Sequence, residues 1–206
     1  MNKRNILLYS CAVGMLLLIA LGGCASKRVS REAVEYNPQA VSHYEIDMIL
    51  NPLTEEELIA RFGTRNNPFL MPELFMNRKT YKSFEVTIAN NTKNSADEDN
   101  AIKVPLKTVR VLYAYKAVPP LTRFKLKEFW EAIDERDSQV RDMSKLLHIV
   151  QKHVFPTKLT VEPGSTYTGI LVFSSKFPRG GEGEVEIAAY TKTNEIIGVF
   201  REGFNF

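Results

Sequence analysis

The sequence predicts a mainly β fold, a sandwich of strands interrupted by a helical insertion, on three observations. Apolar and polar residues alternate over Tyr81–Ala89 and again over Glu184–Tyr190, the period of a half-buried strand. Turn-forming clusters separate such runs, at Asn90–Asn94 and at Glu162-Pro163-Gly164-Ser165. Between residues 122 and 154 the period lengthens to that of a helix. Several strands with turn signals and a helical insertion suggest a layered β domain.

The elements follow in order. Residues 25–43 are polar and mixed in charge, with Lys27, Arg28, Arg31, Glu32 and Glu35, and read as a tether. Thr54-Glu55-Glu56-Glu57 has the form of a capping box, in which the threonine oxygen takes a free amide and Glu57 reaches back. Leu58, Ile59 and Phe62 supply the apolar stripe of that helix, and Gly63 is its stop. The irregular stretch at Asn66–Pro72 carries Phe69 and Leu70, with Phe75 beyond it. These are too apolar for a free loop, so they are expected to pack along the next sheet.

Phe84, Val86 and Ile88 fall on one face of the strand at 81–89. Strands are also predicted at Ile102–Val104 and over Thr108–Tyr115, with Pro105 at an edge or kink because it has no amide to donate. Pro119-Pro120 closes this part of the sheet.

In the helical region Phe129, Trp130 and Ile133 form one apolar group, and Val140, Met143, Leu147, Val150 and Val154 form another. One long helix fits, and so do two, with Asp137 or Ser138 as the second N-cap. Pro156 ends the region.

Lys158–Val161, Thr166–Ser174 and Glu184–Tyr190 then read as strands. Residues 195–206 close the chain, with Ile197, Val199, Phe204 and Phe206 available to the core. This pattern predicts a β-sandwich of immunoglobulin-like type over residues 44–206, with the helical insertion at about 122–154.

The amino terminus has a different character. Lys3 and Arg4 precede an apolar run from Ile6 to Leu21, densest at Leu16-Leu17-Leu18-Ile19, and the run ends in Leu21-Gly22-Gly23-Cys24. Basic start, apolar centre and small-residue end are the three parts of an export signal. A membrane-spanning anchor competes, but a span needs about 20 apolar residues and this run is slightly short. Leu21-Gly22-Gly23-Cys24 resembles a bacterial lipobox. The resemblance implies that residues 1–23 are removed and that Cys24 is acylated, so that residues 24–43 form a lipidated tether. Several acyl chains hold a protein firmly where one gives only marginal binding. Ala25 and Ser26 follow, with no aspartate at the second position. In double-membraned bacteria that pattern implies the outer membrane.

Such maturation changes the charge balance. The chain has 27 Lys+Arg against 24 Asp+Glu, and residues 1–23 hold Lys3, Arg4 and no acid, leaving 25 against 24. A body so near neutrality argues against nucleic acid as a partner. Cys11 lies in the predicted signal segment and Cys24 at the lipidation position, so the body has no thiol for a disulfide, a nucleophile or a metal. The fold must then be held by burial, and a chain of this length can bury about two thirds of its unfolded surface in one core.

A second resemblance rests on Phe84–Thr92, on Val161-Glu162-Pro163-Gly164-Ser165-Thr166-Tyr167-Thr168-Gly169-Ile170-Leu171-Val172-Phe173 and on the final aromatic strand. These are similar to bacterial envelope lipoproteins with an immunoglobulin-like sandwich, over roughly residues 81–206. The similarity is one of fold-forming residues and implies a location and a shape, with no chemistry.

Residues that would carry chemistry do not converge. His148 and His153 are five apart, off the spacing that shares a helix face, and His43 is remote. Asp97-Glu98-Asp99-Asn100 lacks the glycine and later glutamate of a calcium loop. Gly180, Gly181 and Gly183 are followed by no Gly-Lys-Ser/Thr, and Gly164-Ser165-Thr166 belongs to a turn.

Phe124, Phe129 and Trp130 are the group to watch, either docking the helical insertion or forming an aromatic surface for a partner. The expected protein is therefore no enzyme and needs no cofactor or metal. It is a membrane-anchored interaction or structural module of the cell envelope, with the bilayer reached through Cys24 and an envelope protein as partner. Two alternatives are an accessory lipoprotein of an envelope-spanning secretion or transport assembly, and a carrier of a small apolar ligand.

Overall fold

The computed structural model describes residues 44–71, 80–93, 100–137, 142–178 and 180–206. In chain order its elements begin with β1 (Ile46–Leu53), α1 (Glu55–Phe62), β2 (Thr80–Asn90), β3 (Ile102–Pro105), β4 (Arg110–Tyr113) and β5 (Lys116–Val118). Then come α2 (Arg123–Asp137), α3 (Met143–His153), β6 (Lys158–Val161), β7 (Thr166–Ser175), β8 (Glu182–Tyr190) and β9 (Ile196–Asn205). The strands make two antiparallel sheets. One has the order β1-β2-β7; the other has the order β5-β4-β8-β3-β6, with β9 along β8.

The alternation read in β2 is the alternation that packs. Phe84, Val86 and Ile88 meet Leu171 and Phe173 of β7, Ile102 and Val104 of β3, and Val185 and Ile187 of β8 in one core shared by the two sheets. The opposite face of the first sheet is also covered. Ile170 and Val172 of β7 join Leu58 of α1, Leu126, Trp130 and Ile133 of α2, and Leu146, Ile149 and Val150 of α3. A strand dry on both sides needs a continuous apolar run, and Ile170-Leu171-Val172-Phe173 is one. The helices thus form a layer of their own, to which α1 contributes.

Local chemistry sets the element ends. The Glu57 amide donates to the Thr54 hydroxyl at 3.2 Å and the Thr54 amide donates to the Glu57 carboxylate at 2.8 Å, completing the capping box. Gly63 ends α1 in the left-handed region, at φ 81°. Just beyond, the Asn67 amide donates to the carbonyls of Leu58 (3.0 Å) and Gly63 (2.8 Å), while its oxygen accepts the Phe69 amide at 3.1 Å. That clasp turns Phe69 into the core between the helices and the first sheet, 4.8 Å from the ring of Phe62 and in one cluster with Ile170 and Val172 of β7. Phe75 lies outside the described residues.

Three sequence expectations are corrected. First, the predicted strand at Thr108–Tyr115 is shorter and sits later. Leu106–Thr108 is a 3-10 turn that Pro105 introduces, and the Thr108 hydroxyl donates to the Pro105 carbonyl at 2.7 Å. The far end is a hairpin: Tyr113 pairs with Lys116 across Ala114 and Tyr115, which have φ of 41° and 64°. Both central residues are left-handed, as in the tight turns that follow strand twist.

Second, the helical region is two helices, and the cap of the second is neither Asp137 nor Ser138. Asp137 belongs to α2, Ser138 lies outside the described residues, and Asp142 accepts the Lys145 amide at 2.9 Å. Third, Val199 does not enter the core and is 43% exposed. It pairs with Ala188 on the outer face of β8, while Phe200, opposite Ile187, packs inward.

Candidate functional site

Leu21, Gly22, Gly23 and Cys24 lie outside the described residues. The aromatic group on α2 can be placed. Thr122 caps the helix, its hydroxyl accepting the Lys125 amide at 3.1 Å. At about 100° per residue, positions 124 and 130 stand roughly 120° apart around the helix axis. Trp130 faces the sheet, is only 8% exposed, and donates its indole N–H to the Pro68 carbonyl at 3.3 Å. Phe129 is half-buried between Trp130, 5.8 Å away edge-on, and Tyr81, at 6.1 Å. Burial in this layer pushes the Tyr81 phenol above its ordinary range. Phe124 is 65% exposed. The fold therefore divides the group, with Trp130 in the core, Phe129 at its margin and Phe124 at the surface.

The surroundings of Phe124 are basic. Arg123, Lys125 and Lys127 fall in the first five residues of α2; Glu128, Glu131 and Asp134 follow. This order runs against the helix dipole, which favours acids at the start and bases at the end. Lys127 is paired with Glu131 at 3.6 Å, and the Arg123 Nε donates to the Val154 carbonyl at 2.7 Å. Arg123 also stands beside Tyr167, whose phenol is pushed up by burial and drawn partly back by that guanidinium.

A second cluster was missed in the sequence. On the outer face of the second sheet Glu186 is buried under two arginines. Its Oε1 accepts Arg110 Nε at 2.7 Å and Nη2 at 2.5 Å; its Oε2 accepts Arg201 Nε at 3.1 Å and Nη2 at 3.0 Å. Arg201 also reaches Glu184 at 3.6 Å. The register makes it, since Arg110 and Arg201 are the two cross-strand partners of Glu186. With both oxygens held by guanidinium, this carboxylate serves as a clamp across three strands rather than as a free base. Only the alternation of β8 hinted at it, because Glu186 and Glu184 share the face opposite Val185 and Ile187.

The histidines stay apart in role. His148 is exposed, and His153 is half-buried with its ring edge-on to Phe62 at 5.1 Å. Burial lowers the His153 pKa, with Lys152 and His148 adding to the effect. His43 and Asp97–Asp99 lie outside the described residues. Among the described residues no group of three or more His, Cys, Asp or Glu is placed to hold a metal, and no helix is long and apolar enough to cross a membrane.

Comparison with known proteins adds no identity. No family model matches the chain, and no curated protein matches it. Among solved structures, a FixG-related protein from Vibrio parahaemolyticus aligns at 8% identity and a TM-score of 0.35, over 80% of this chain and 94% of that one. The X-ray structure of a Northeast Structural Genomics Consortium target aligns at 12% identity and a TM-score of 0.31, over 77% and 84%.

Proposed function

We propose that the protein is a lipid-anchored, non-catalytic module of the bacterial cell envelope that binds or braces an envelope protein. On this reading residues 1–23 are a lipoprotein signal peptide, Cys24 carries the acyl chains at the outer membrane, and the body is an immunoglobulin-like sandwich. The observation that carries it is Leu21-Gly22-Gly23-Cys24 at the end of a basic-then-apolar start. Two antiparallel sheets sharing one core support the sandwich. Phe84, Phe155 and Phe173 are fully buried in that core, which favours a bracing module over a carrier of small ligands.

Mass spectrometry of the protein from its native membranes tests this. The expected polypeptide starts at Cys24 and bears diacylglyceryl and acyl mass, and crosslinking then recovers a stoichiometric partner. A chain that begins at Met1 with no acyl mass would falsify the anchor.

A further inference from the structure

We propose that β9 is a self-association edge, on which two copies of the protein pair their β9 strands antiparallel about a twofold axis at Phe200 and join their second sheets into one. The proposal goes beyond the anchored-module reading and does not depend on it.

The first observation is the open edge itself. β9 runs along β8 on one side, and among the described residues no strand runs along the other. The Phe206 amide donates to the Gly181 carbonyl at 3.0 Å, which fixes the phase of the β8–β9 ladder. The even residues from Gly198 to Phe204 then bond to β8, so the amides and carbonyls of Val199, Arg201 and Gly203 point to the open side. Such a row is a template for another strand unless it is blunted by proline, by short length or by charge. β1, the other long edge, carries Pro52; β9 carries no proline over its ten residues. The charge of Arg201 is drawn back over β8 by Glu186, at 3.0 Å, and so does not guard the edge. Val199, an apolar side chain beside it, is left 43% exposed.

The second observation is that β9 fits itself in one register. Opposed residues in a ladder share a face, so a twofold axis passes through a residue that meets its own copy. An axis at Arg201 opposes two guanidinium groups, and one at Glu202 opposes two carboxylates; like charges directly opposite are destabilising. An axis at Gly203 leaves Val199 beyond the end of the second copy, because the chain stops at Phe206. An axis at Phe200 has none of these faults. It sets ring against ring in a close, non-hydrogen-bonded pair, where aromatic pairs add stability. It lays Val199 against the aliphatic stem of Arg201 of the second copy. It also sets Glu202 opposite Gly198, which has no side chain to obstruct it and lies 3.7 Å or more from its nearest neighbours.

The test measures the mass of the full chain in excess detergent, by light scattering over a range of concentrations, for the parent and three variants. A dimer is expected in the parent. Val199→Lys faces Arg201 of the second copy with like charge, twice per dimer, and should raise the dissociation constant by about tenfold. Val199→Glu faces the same arginine with opposite charge and should lower it. Val199→Pro removes an outward amide while sparing the ladder to β8, and should abolish the dimer. Urea midpoints close to the parent's show which variants are folded, and the lysine and glutamate variants suffice if the proline variant is not. A monomer at every concentration overturns the proposal, and that includes the case in which a different protein supplies the strand. A dimer that responds alike to lysine and glutamate at 199 also overturns it.

Discussion

The ring of Phe204 lies across the backbone of Gly183, its cross-strand partner, so closely that a β-carbon on the glycine would come within 2.7 Å of the ring. Phe206 crowds the same spot, at 2.8 Å. Phe204 in turn meets Phe84 edge-on at 4.8 Å, so the missing side chain of Gly183 is what lets the last strand close that end of the core. Gly183→Ala is expected to force one ring aside and destabilise the protein by about 1–3 kcal/mol. Urea denaturation reads the shift in midpoint; an unchanged midpoint would mean that the rings move without cost.

Asn90 ties three segments together. Its amide donates to the carbonyls of Asn100 at 2.9 Å and Val161 at 3.0 Å, and its oxygen accepts the Thr92 amide at 3.3 Å, all in the buried interior. Asn90→Ala orphans those groups, at about 1–3 kcal/mol for each one left unsatisfied. Asn90→Asp should be worse than a simple loss of donors, because a carboxylate would then face two carbonyl oxygens. Equal stability of the aspartate variant and the parent, by the same denaturation, contradicts this.

The aromatic residues of α2 should separate cleanly. Trp130→Ala removes a buried ring and an indole bond to Pro68, an expected loss of about 3–5 kcal/mol. Phe124→Ser, at the exposed position, should stay within about 0.5 kcal/mol of the parent. Similar losses for both would place Phe124 in the core.

His153 makes stability depend on pH. Its folded pKa is lowered from the ordinary 6.5, mainly by burial, so the unfolded chain binds the proton more readily. The contribution is therefore complete above about pH 6.5 and is lost as the pH falls through the lower folded value. Denaturation midpoints measured from pH 7.5 down to 5 should decline. His153→Gln should flatten the part of that slope due to this residue, and an identical slope in the variant removes His153 as its cause.

Much of the fold was legible because it is written in short-range patterns. The period of two at Phe84-Val86-Ile88, the Thr54–Glu57 box and the Pro163-Gly164 turn each depend on residues a few positions apart. The hairpin at Ala114-Tyr115 was not legible, since neither residue is the Gly, Asn or Asp that usually announces left-handed turns. Strand pairing on both sides holds them there. The Glu186 clamp was hidden for another reason: Arg110 and Arg201 lie 76 and 15 residues away, and the register alone makes them neighbours.

Taken alone, the chain determined the strands around Phe84–Ile88 and Glu184–Tyr190, the capped start of α1, and the features at Cys24 on which the anchor proposal rests; it did not show the strand at Ile46–Leu53 or the cap at Asp142. Tertiary structure decided which faces are covered. It made Ile170-Leu171-Val172-Phe173 dry on both sides, left Val199 in water, and split Trp130 from Phe124. Backbone conformation follows from neighbours in the chain, whereas burial is settled by elements distant in sequence that must remove the same apolar surface from water.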